Sequence, residues 1–311
     1  MIITIWGKLM TKIACVIVTF NRKALLAEAI ESVLTQPEAP EYVFVIDNAS
    51  TDGTEAFIQQ QFDFDDQHLV YVRCQQNLGG SAGFATGIRL ALQTDCDWIS
   101  ISDDDAIFQT GYFAAMRRAI VTQPQQGVFS GSVLLPNGHH DAMHREMITN
   151  SQTLTVKPIA EADYAQDFKY DIFSFVGILM SRGIVERIGL PEQDYFIRFD
   201  DFEYALRARK YGQFLNVHDA LVLHKTTYTR TAIAPWKEYY VMRNRLASLF
   251  KHRGQTRVTC WYARRFLARK LFAILLFRDR WGQAEPLIKA YVQGYRDGWH
   301  DRLGRNQDYL P

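Results

Sequence analysis

Residues 97–105 read DWISISDDD, a β-prone run that passes straight into three consecutive aspartates. A buried strand carrying its charges at the carboxyl end is the layout of a parallel sheet, where ligands gather beyond the carboxyl ends of the strands. Working upstream, residues 13–20 (IACVIVTF), 42–46 (YVFVI) and 69–73 (LVYVR) are further apolar, β-branched runs. Helical patterns separate them. Residues 23–35 place Leu25, Leu26, Ala29, Ile30 and Val33 on one side. Asp52 or Thr54 caps a helix to about 61, and NLGGSAG at 77–83 leads into another ending near 92. With a helix at 111–121, the βαβαβαβ order predicts an α/β chain, its mostly parallel sheet flanked by helices on both faces. Asp47, Asn77 and residues 103–105 all fall at carboxyl ends of strands.

The pattern downstream is mixed. Strands are predicted at 127–135, 172–181, 214–217 and 220–224, and helices at 182–188, 200–211 and 235–251. Residues 139–165 read as polar and irregular.

Composition narrows the class. With 311 residues, 48% hydrophobic and 13% aromatic, the chain is neither disordered, collagen-like nor a disulfide scaffold. Cysteines at 15, 74, 96 and 260 have no CxxC spacing, which argues against a structural zinc site and fits a reducing compartment. No run of eighteen apolar residues is present. Residues 1–10 lack a cleavage site and read as an N-terminal extension that adds little to the fold. The near-neutral total, 35 Lys+Arg against 34 Asp+Glu, hides a split. Residues 235–311 hold 16 basic and 6 acidic groups, so residues 1–234 carry the acidic excess.

Three carboxylates on one strand end are costly without a cation. In an extended segment Asp103 and Asp105 point one way and Asp104 the other, so Asp103 and Asp105 suit Mg²⁺ or Mn²⁺. A solvated acidic turn is the plain alternative. Asp200 and Asp201, rimmed by Phe196, Phe199 and Phe202, offer a general base or simple helix capping. Glu203 either orients substrate or balances Arg207 at i+4. His224, in the short apolar run LVLH, suits Mn²⁺ or a phosphate, with His218 as runner-up. His139, His140 and His144 show no metal-like periodicity and are assigned acceptor contact or no role. The NLGGSAG loop is not a dinucleotide fingerprint, and its glycines allow close approach to a nucleotide sugar. Asp47 is placed to accept a hydrogen bond from a base or ribose. Residues 257–281 interleave Arg264, Arg265, Arg269 and Lys270 with Trp261, Tyr262 and Phe266, then run apolar from Leu271 to Phe277. Such a helix suits a lipid surface, or packing on the sheet or a second copy. Its aliphatic load argues against nucleic acid.

Taken in order, IVTFNR, VIDNASTDGT, NLGGSAGF, DWISISDDD and FIRFDDFEYALRARKYG resemble the inverting glycosyltransferases of family 2, which have the GT-A (nucleotide-diphospho-sugar transferase) fold. The resemblance covers residues 11–250, and its detail is similar to the galactofuranosyltransferase branch. It implies a catalytic domain at 11–234 and a basic helical C-terminal region at 235–311. Thr19, Phe20, Asp47, Asn77, Gly79 and Gly80 would lie along the nucleotide. Asp103, Asp104 and Asp105 would serve donor and metal, His224 would complete the Mn²⁺ or Mg²⁺ site, Asp201 would be the base and Asp200 would hold hydroxyls. The tryptophan pair of that branch is replaced by Phe173 and Phe175, and QxxRW is absent, which implies addition of one or a few sugars.

The implied reaction moves galactofuranose from its UDP carrier to a lipid-linked oligosaccharide in bacterial cell-surface polysaccharide synthesis. It implies a cytoplasmic enzyme on the inner face of the bacterial inner membrane, peripherally bound through 256–281, with a homo-oligomer as the competing use of that segment. A dTDP-rhamnose donor is the alternative within the family. From other classes, a nucleotidyltransferase lacks its phosphate loop in VTFNRK, and a non-catalytic sugar-binding or scaffolding protein leaves both aspartate clusters unexplained.

Overall fold

The computed structural model describes residues 11–65, 68–226 and 233–310, so the 1–10 extension lies outside the described residues. The first half follows the predicted alternation: β1 (Ile13–Thr19), α1 (Lys23–Leu34), β2 (Tyr42–Asp47), α2 (Thr54–Gln59), β3 (Leu69–Arg73), α3 (Gly80–Ala91), β4 (Trp98–Asp103), a short β5 (Ala106–Phe108) and α4 (Tyr112–Thr122). The second half holds β6 (Val128–Leu134), β7 (Arg145–Asn150), β8 (Thr155–Pro158), β9 (Phe168–Tyr170), β10 (Ile172–Phe173), β11 (Ile178–Ser181), α5 (Arg182–Ile188), α6 (Asp200–Ala208) and β12 (Phe214–His224). Three helices end the chain: α7 (Pro235–Arg253), α8 (Arg257–Leu276) and α9 (Ala284–Trp299).

The main sheet runs β3-β2-β1-β4-β11-β6-β12-β5, with β9 on β12. The first four strands are parallel, whereas β11 is antiparallel to both its neighbours and β5 is antiparallel to β12. The sheet is therefore mixed, with its parallel half as expected. Strand β1 shows why its sequence is continuously apolar. Ala14, Val16 and Val18 enter one buried cluster, and Ile13, Cys15 and Ile17 enter another on the opposite face.

Three expectations change. The single strand expected at 172–181 is two. Residues between β10 and β11 bring the chain into the main sheet, whereas β10 joins β7 and β8 in a second sheet. Residues 139–165, polar because this small sheet is half-exposed, thus contain two strands. Conversely, the two strands expected at 214–224 are one, β12, with a bulge between Val217 and Leu221.

The C-terminal helices pack on one another and on the catalytic body. Helix α9 crosses α7 closely: a Cβ at Gly298 would lie 2.4 Å from the carbonyl oxygen of Arg243. Among the described residues, no helix is long and apolar enough to cross a membrane.

Candidate functional site

Strand β4 ends at Asp103, and the chain turns at Asp104 and Asp105 before β5 leaves. The turn overrides the strand alternation that set Asp104 apart from its neighbours. Asp104 and Asp105 both face Arg22, whose Nη1 lies 3.2 Å from Asp104 Oδ1 and 2.7 Å from Asp105 Oδ2. Thr19 donates its hydroxyl to Asp104 at 2.6 Å.

Register then brings in the histidine. Strand β5 pairs with β12 so that Ala106 faces His224. His224 Nε2 sits 3.3 Å from Asp105 Oδ1, a buried oxygen that accepts no hydrogen bond. The other ring nitrogen, Nδ1, lies 3.2 Å from His144 Nε2 and 3.4 Å from Asp141 Oδ2. His144 Nε2 is 3.0 Å from the same carboxylate oxygen. Asp141 caps the 3₁₀ turn Ala142–His144 by accepting from the Met143 amide, so one short turn supplies two of these groups. Asp141, His144 and His224 can each direct one donor atom into a cluster spanning 4.8 Å.

The electrostatics fit a cation. Burial pushes Asp103 well above the usual carboxylate range, helped by Asp105 and Asp104. Burial takes Asp104 up to about 6 against the pull of Arg22. His224 goes up to about 9: burial opposes its charge, but Asp105 and Asp141 outweigh that. Carboxylates and imidazoles converging in one largely buried cluster form a set of hard and borderline donors, the chemistry of a divalent metal site. His144, given acceptor contact or no role from sequence, belongs here with Asp141. The signal was the Asp-x-x-His spacing, which closes only on a 3₁₀ turn. His218 instead pairs with Asp167 at the surface.

The second carboxylate centre lies in the first turn of α6. Burial and then the charge of Asp201 push Asp200 up to about 7, and burial raises Asp201. Asp201 Oδ1 accepts from the Phe202 amide at 2.7 Å. Glu146, two residues beyond His144 on β7, is pushed up to about 7 by burial and by the charge of Asp201. Strand β7, which follows His144, pairs with β10, and α6 packs on β10, so the small sheet lies between the Asp/His cluster and the helix that carries Asp201. Sequence reading missed Glu146, which lay in the stretch taken as irregular.

The expected nucleotide residues line the neighbouring strand ends. Asp47 is fully buried: its carboxylate accepts from the Tyr71 hydroxyl at 2.5 Å and the Ser50 amide at 2.8 Å. Asn48 donates to Asn77 Oδ1 at 3.0 Å, and the same oxygen accepts from the Gly79 amide at 2.8 Å. Phe20 is half-buried beyond β1, and Gly80 opens α3. Gly79 has φ +87°, and a Cβ there would lie 1.9 Å from the carbonyl oxygen of Phe196. The Gly-rich loop thus presses on the segment leading to Asp200 and Asp201. Phe173 and Phe175 are core residues, packed against Phe214 and Phe84.

Comparison with known proteins places this geometry. The family model described as Glycosyl transferase family 2 matches residues 14–189. The galactofuranosyltransferase GlfT1 of Mycolicibacterium smegmatis is 25% identical over 206 residues, covering 65% of this chain and 67% of that protein. Among solved structures, GalNAc-T7 with UDP, GalNAc and Mn²⁺ superposes with a TM-score of 0.63 at 11% identity, over 95% of this chain and 57% of that one. The Pyrobaculum calidifontis mannosyltransferase PcManGT, in complex with GDP-Man and Mn²⁺, gives 0.57 at 16% identity, over 95% and 89%. Such low identities establish the α/β GT-A-like fold with its C-terminal helical extension.

Proposed function

We propose a function from one premise: the chain belongs to glycosyl transferase family 2, and is a GT-A-fold glycosyltransferase with an Asp/His metal site. The donor we assign is a UDP-sugar, with galactofuranose as the sugar. Support comes from the galactofuranosyltransferase relatives and from the DDD, FDDFE and NLGGSAGF stretches. The observation that supports the reaction is that β7, the strand that follows His144, pairs with β10, against which the Asp201 helix α6 packs.

Asp201 takes the proton of the acceptor hydroxyl as its oxygen attacks the anomeric carbon. The bond to UDP breaks on the opposite face, and the configuration inverts. Asp200 holds hydroxyls beside it. Asp105, Asp141, His144 and His224 would hold the cation, with Asp103 adding charge nearby. Their two imidazoles favour Mn²⁺ over Mg²⁺, which prefers oxygen ligands. Bound there, the metal supplies Lewis-acid neutralisation of charge on the leaving diphosphate. Thr19, Phe20, Asn77, Gly79 and Gly80 frame the nucleotide, and buried Asp47 holds the loop that reaches it.

Asp201→Asn is expected to lower turnover by ~10²–10⁴-fold and leave UDP binding intact. Nucleotide release is read from a panel of UDP- and dTDP-sugars. Near-normal turnover of the variant sinks the base assignment, and release only from dTDP-rhamnose moves the donor to the alternative.

The acceptor we assign is a lipid-linked oligosaccharide met at an anionic membrane face. Helix α8 carries five cationic residues and no acidic one. Val258, Trp261, Phe272, Leu275 and Leu276 are exposed on it, followed by Phe277 and Trp281. Its buried side, including Ala263 and Ile274, packs with α7 and α9. Aromatic and aliphatic groups beside exposed arginines fit the headgroup boundary of anionic lipid. Flotation with phosphatidylglycerol-containing vesicles is expected, and Trp261→Ser with Phe272→Ser should abolish it. Equal flotation of wild type and variant removes the helix from the reading, and a dimer lost in the variant reassigns the face to a second copy.

A further inference from the structure

The motif YYVMRNR at 239–245 lies on α7, outside the segment matched by the family model, and the reaction above gives it no task. Its centre is a pair of fully buried polar side chains, Arg243 and Asn244. Among the described residues neither hydrogen-bonds a carboxylate. Both are aimed at backbone carbonyls of the segment that precedes the base.

That segment has an unusual backbone. Phe196, Arg198 and Phe199 have φ of 65°, 67° and 67°, a left-handed conformation that non-glycine residues adopt rarely and hold only when neighbours over-determine it. The neighbours are on α7. Asn244 donates its amide nitrogen to the carbonyls of Tyr195, Ile197 and Arg198 at 2.9, 2.9 and 2.8 Å. Arg243 donates Nη2 to the carbonyls of Asp194 and Tyr195 at 3.0 and 2.9 Å. Its Nη1 reaches the Gly304 carbonyl near the chain end, and the Gly304 amide donates back to Asp194 at 2.7 Å. The Arg243 side chain orients Asn244 in turn, Nε to Oδ1 at 2.8 Å. On the other side of the segment, the Phe196 carbonyl accepts from the Ser81 amide at the start of α3 and blocks any side chain at Gly79. Phe199 then leads directly into Asp200 and Asp201.

We infer that Arg243 and Asn244 are positioning residues for the transfer reaction: from the C-terminal helices they hold residues 194–199 in the strained conformation that leads into Asp200 and Asp201. The inference rests on the base role of Asp201. It makes region 235–311 part of the catalytic machinery, because Gly298 lets α9 approach the turn of α7 that carries the pair.

The test is Asn244→Asp, which keeps shape and removes the donors. The control is Leu246→Ala, two residues along α7 in the cluster it forms with α8 and α9. Amide hydrogen exchange is followed by peptide, with UDP as the binding probe and release from the donor panel as the activity. Asn244→Asp should speed exchange in residues 195–203 at least ~10-fold and leave the β1–β4 peptides protected. Turnover should fall at least ~10-fold while UDP affinity and donor KM stay within ~2-fold of wild type, the signature of lost transition-state positioning. Leu246→Ala should lower Tm without either local effect. If Asn244→Asp does not fold, Arg243→Lys, which keeps the charge and loses the fork, carries the same expectations. Wild-type exchange in 195–203, or a variant that only mirrors Leu246→Ala, overturns the inference. The exchange arm is independent of substrate. Local loosening with no turnover in the wild-type enzyme therefore points to a wrong donor reading, and leaves the clamp supported.

Discussion

Glu203 is fully buried in α6, two residues beyond Asp201, and is the most heavily committed carboxylate near the site. Arg207 Nε lies 2.9 Å from one oxygen, and His252 Nε2 and Lys251 Nζ lie 3.0 and 3.1 Å from the other. Arg207 also donates to the carbonyls of Ile188 and Leu190, so one acid ties the helix that carries Asp201 to α7 and to the loop after α5. Burial opposes ionisation, yet His252, Arg207 and Lys251 bring the carboxyl down from 4.5 to about 2. At about 1.4 kcal/mol per pH unit, this corresponds to about 3 kcal/mol of stability. The folded value is the lower one, so the contribution is complete above the unfolded value of 4.5 and is lost as pH falls through about 2. Glu203→Gln should therefore lose about 3 kcal/mol near neutral pH, because the surrounding cations are left uncompensated. Urea unfolding of both proteins from about pH 7 to about pH 2.5 measures it, since groups that do not contact Glu203 cancel in the difference. The gap should narrow steadily below about pH 4.5. A gap under about 1 kcal/mol, or one that does not change with pH, refutes the reasoning.

Two further outcomes follow from the site. Gly79→Ala places a Cβ 1.9 Å from the Phe196 carbonyl oxygen at φ +87°, so the backbone conformation alone costs roughly 1–3 kcal/mol and the Asp201 segment must shift. Tm and turnover should fall together, and an unchanged melting curve rejects the close contact. His144→Ala should weaken Mn²⁺ binding at least ~10-fold by titration of the free protein. An unchanged Mn²⁺ affinity in that variant, with a loss in Asp103→Asn, would return the site to Asp103, Asp105 and His224 alone.

How much of this the sequence made legible depends on the range of the interaction. Continuous apolar runs and Gly-rich punctuation are local, so most strands and helices up to residue 122 could be read within a residue or two, whereas the short β5 was missed and α3 begins inside the stretch read as a Gly-rich turn. The direction of β11 could not. Whether an apolar run joins parallel or antiparallel depends on where the chain returns, and the excursion through β7, β8 and β10 sets that. The aspartate triplet was legible as a charge centre but not as a geometry, because a two-residue turn cancels strand alternation. His144 was hidden because its partner His224 lies far along the chain, on the strand whose register with β5 also brings His224 to Asp105. Asn244 was hidden more deeply, since its three acceptors are backbone carbonyls that no side-chain pattern reports.

The charge count of the C-terminal region needs the same correction, because its cations have two separate tasks. Arg243 is buried against carbonyls. Arg245 donates to the Tyr262 hydroxyl and lies over the rings of Phe199 and Phe266. Lys251 pairs with Glu192 and Glu203, and Lys270 with Glu238. These four are directed inward and their charge is largely spent within the protein. Arg257, Arg264, Arg265 and Arg269 are exposed on α8, which offers them no acid. Arg265 stacks on Trp261, keeping guanidinium and indole on one surface. A count that adds both sets predicts one strongly basic tail, whereas the structure directs Arg243, Arg245 and Lys251 to residues 192–203 and leaves the four α8 arginines exposed. The two sets should separate experimentally: substitutions on the α8 arginines change vesicle binding at constant turnover on a soluble acceptor, and substitutions on the inner set change turnover at constant vesicle binding.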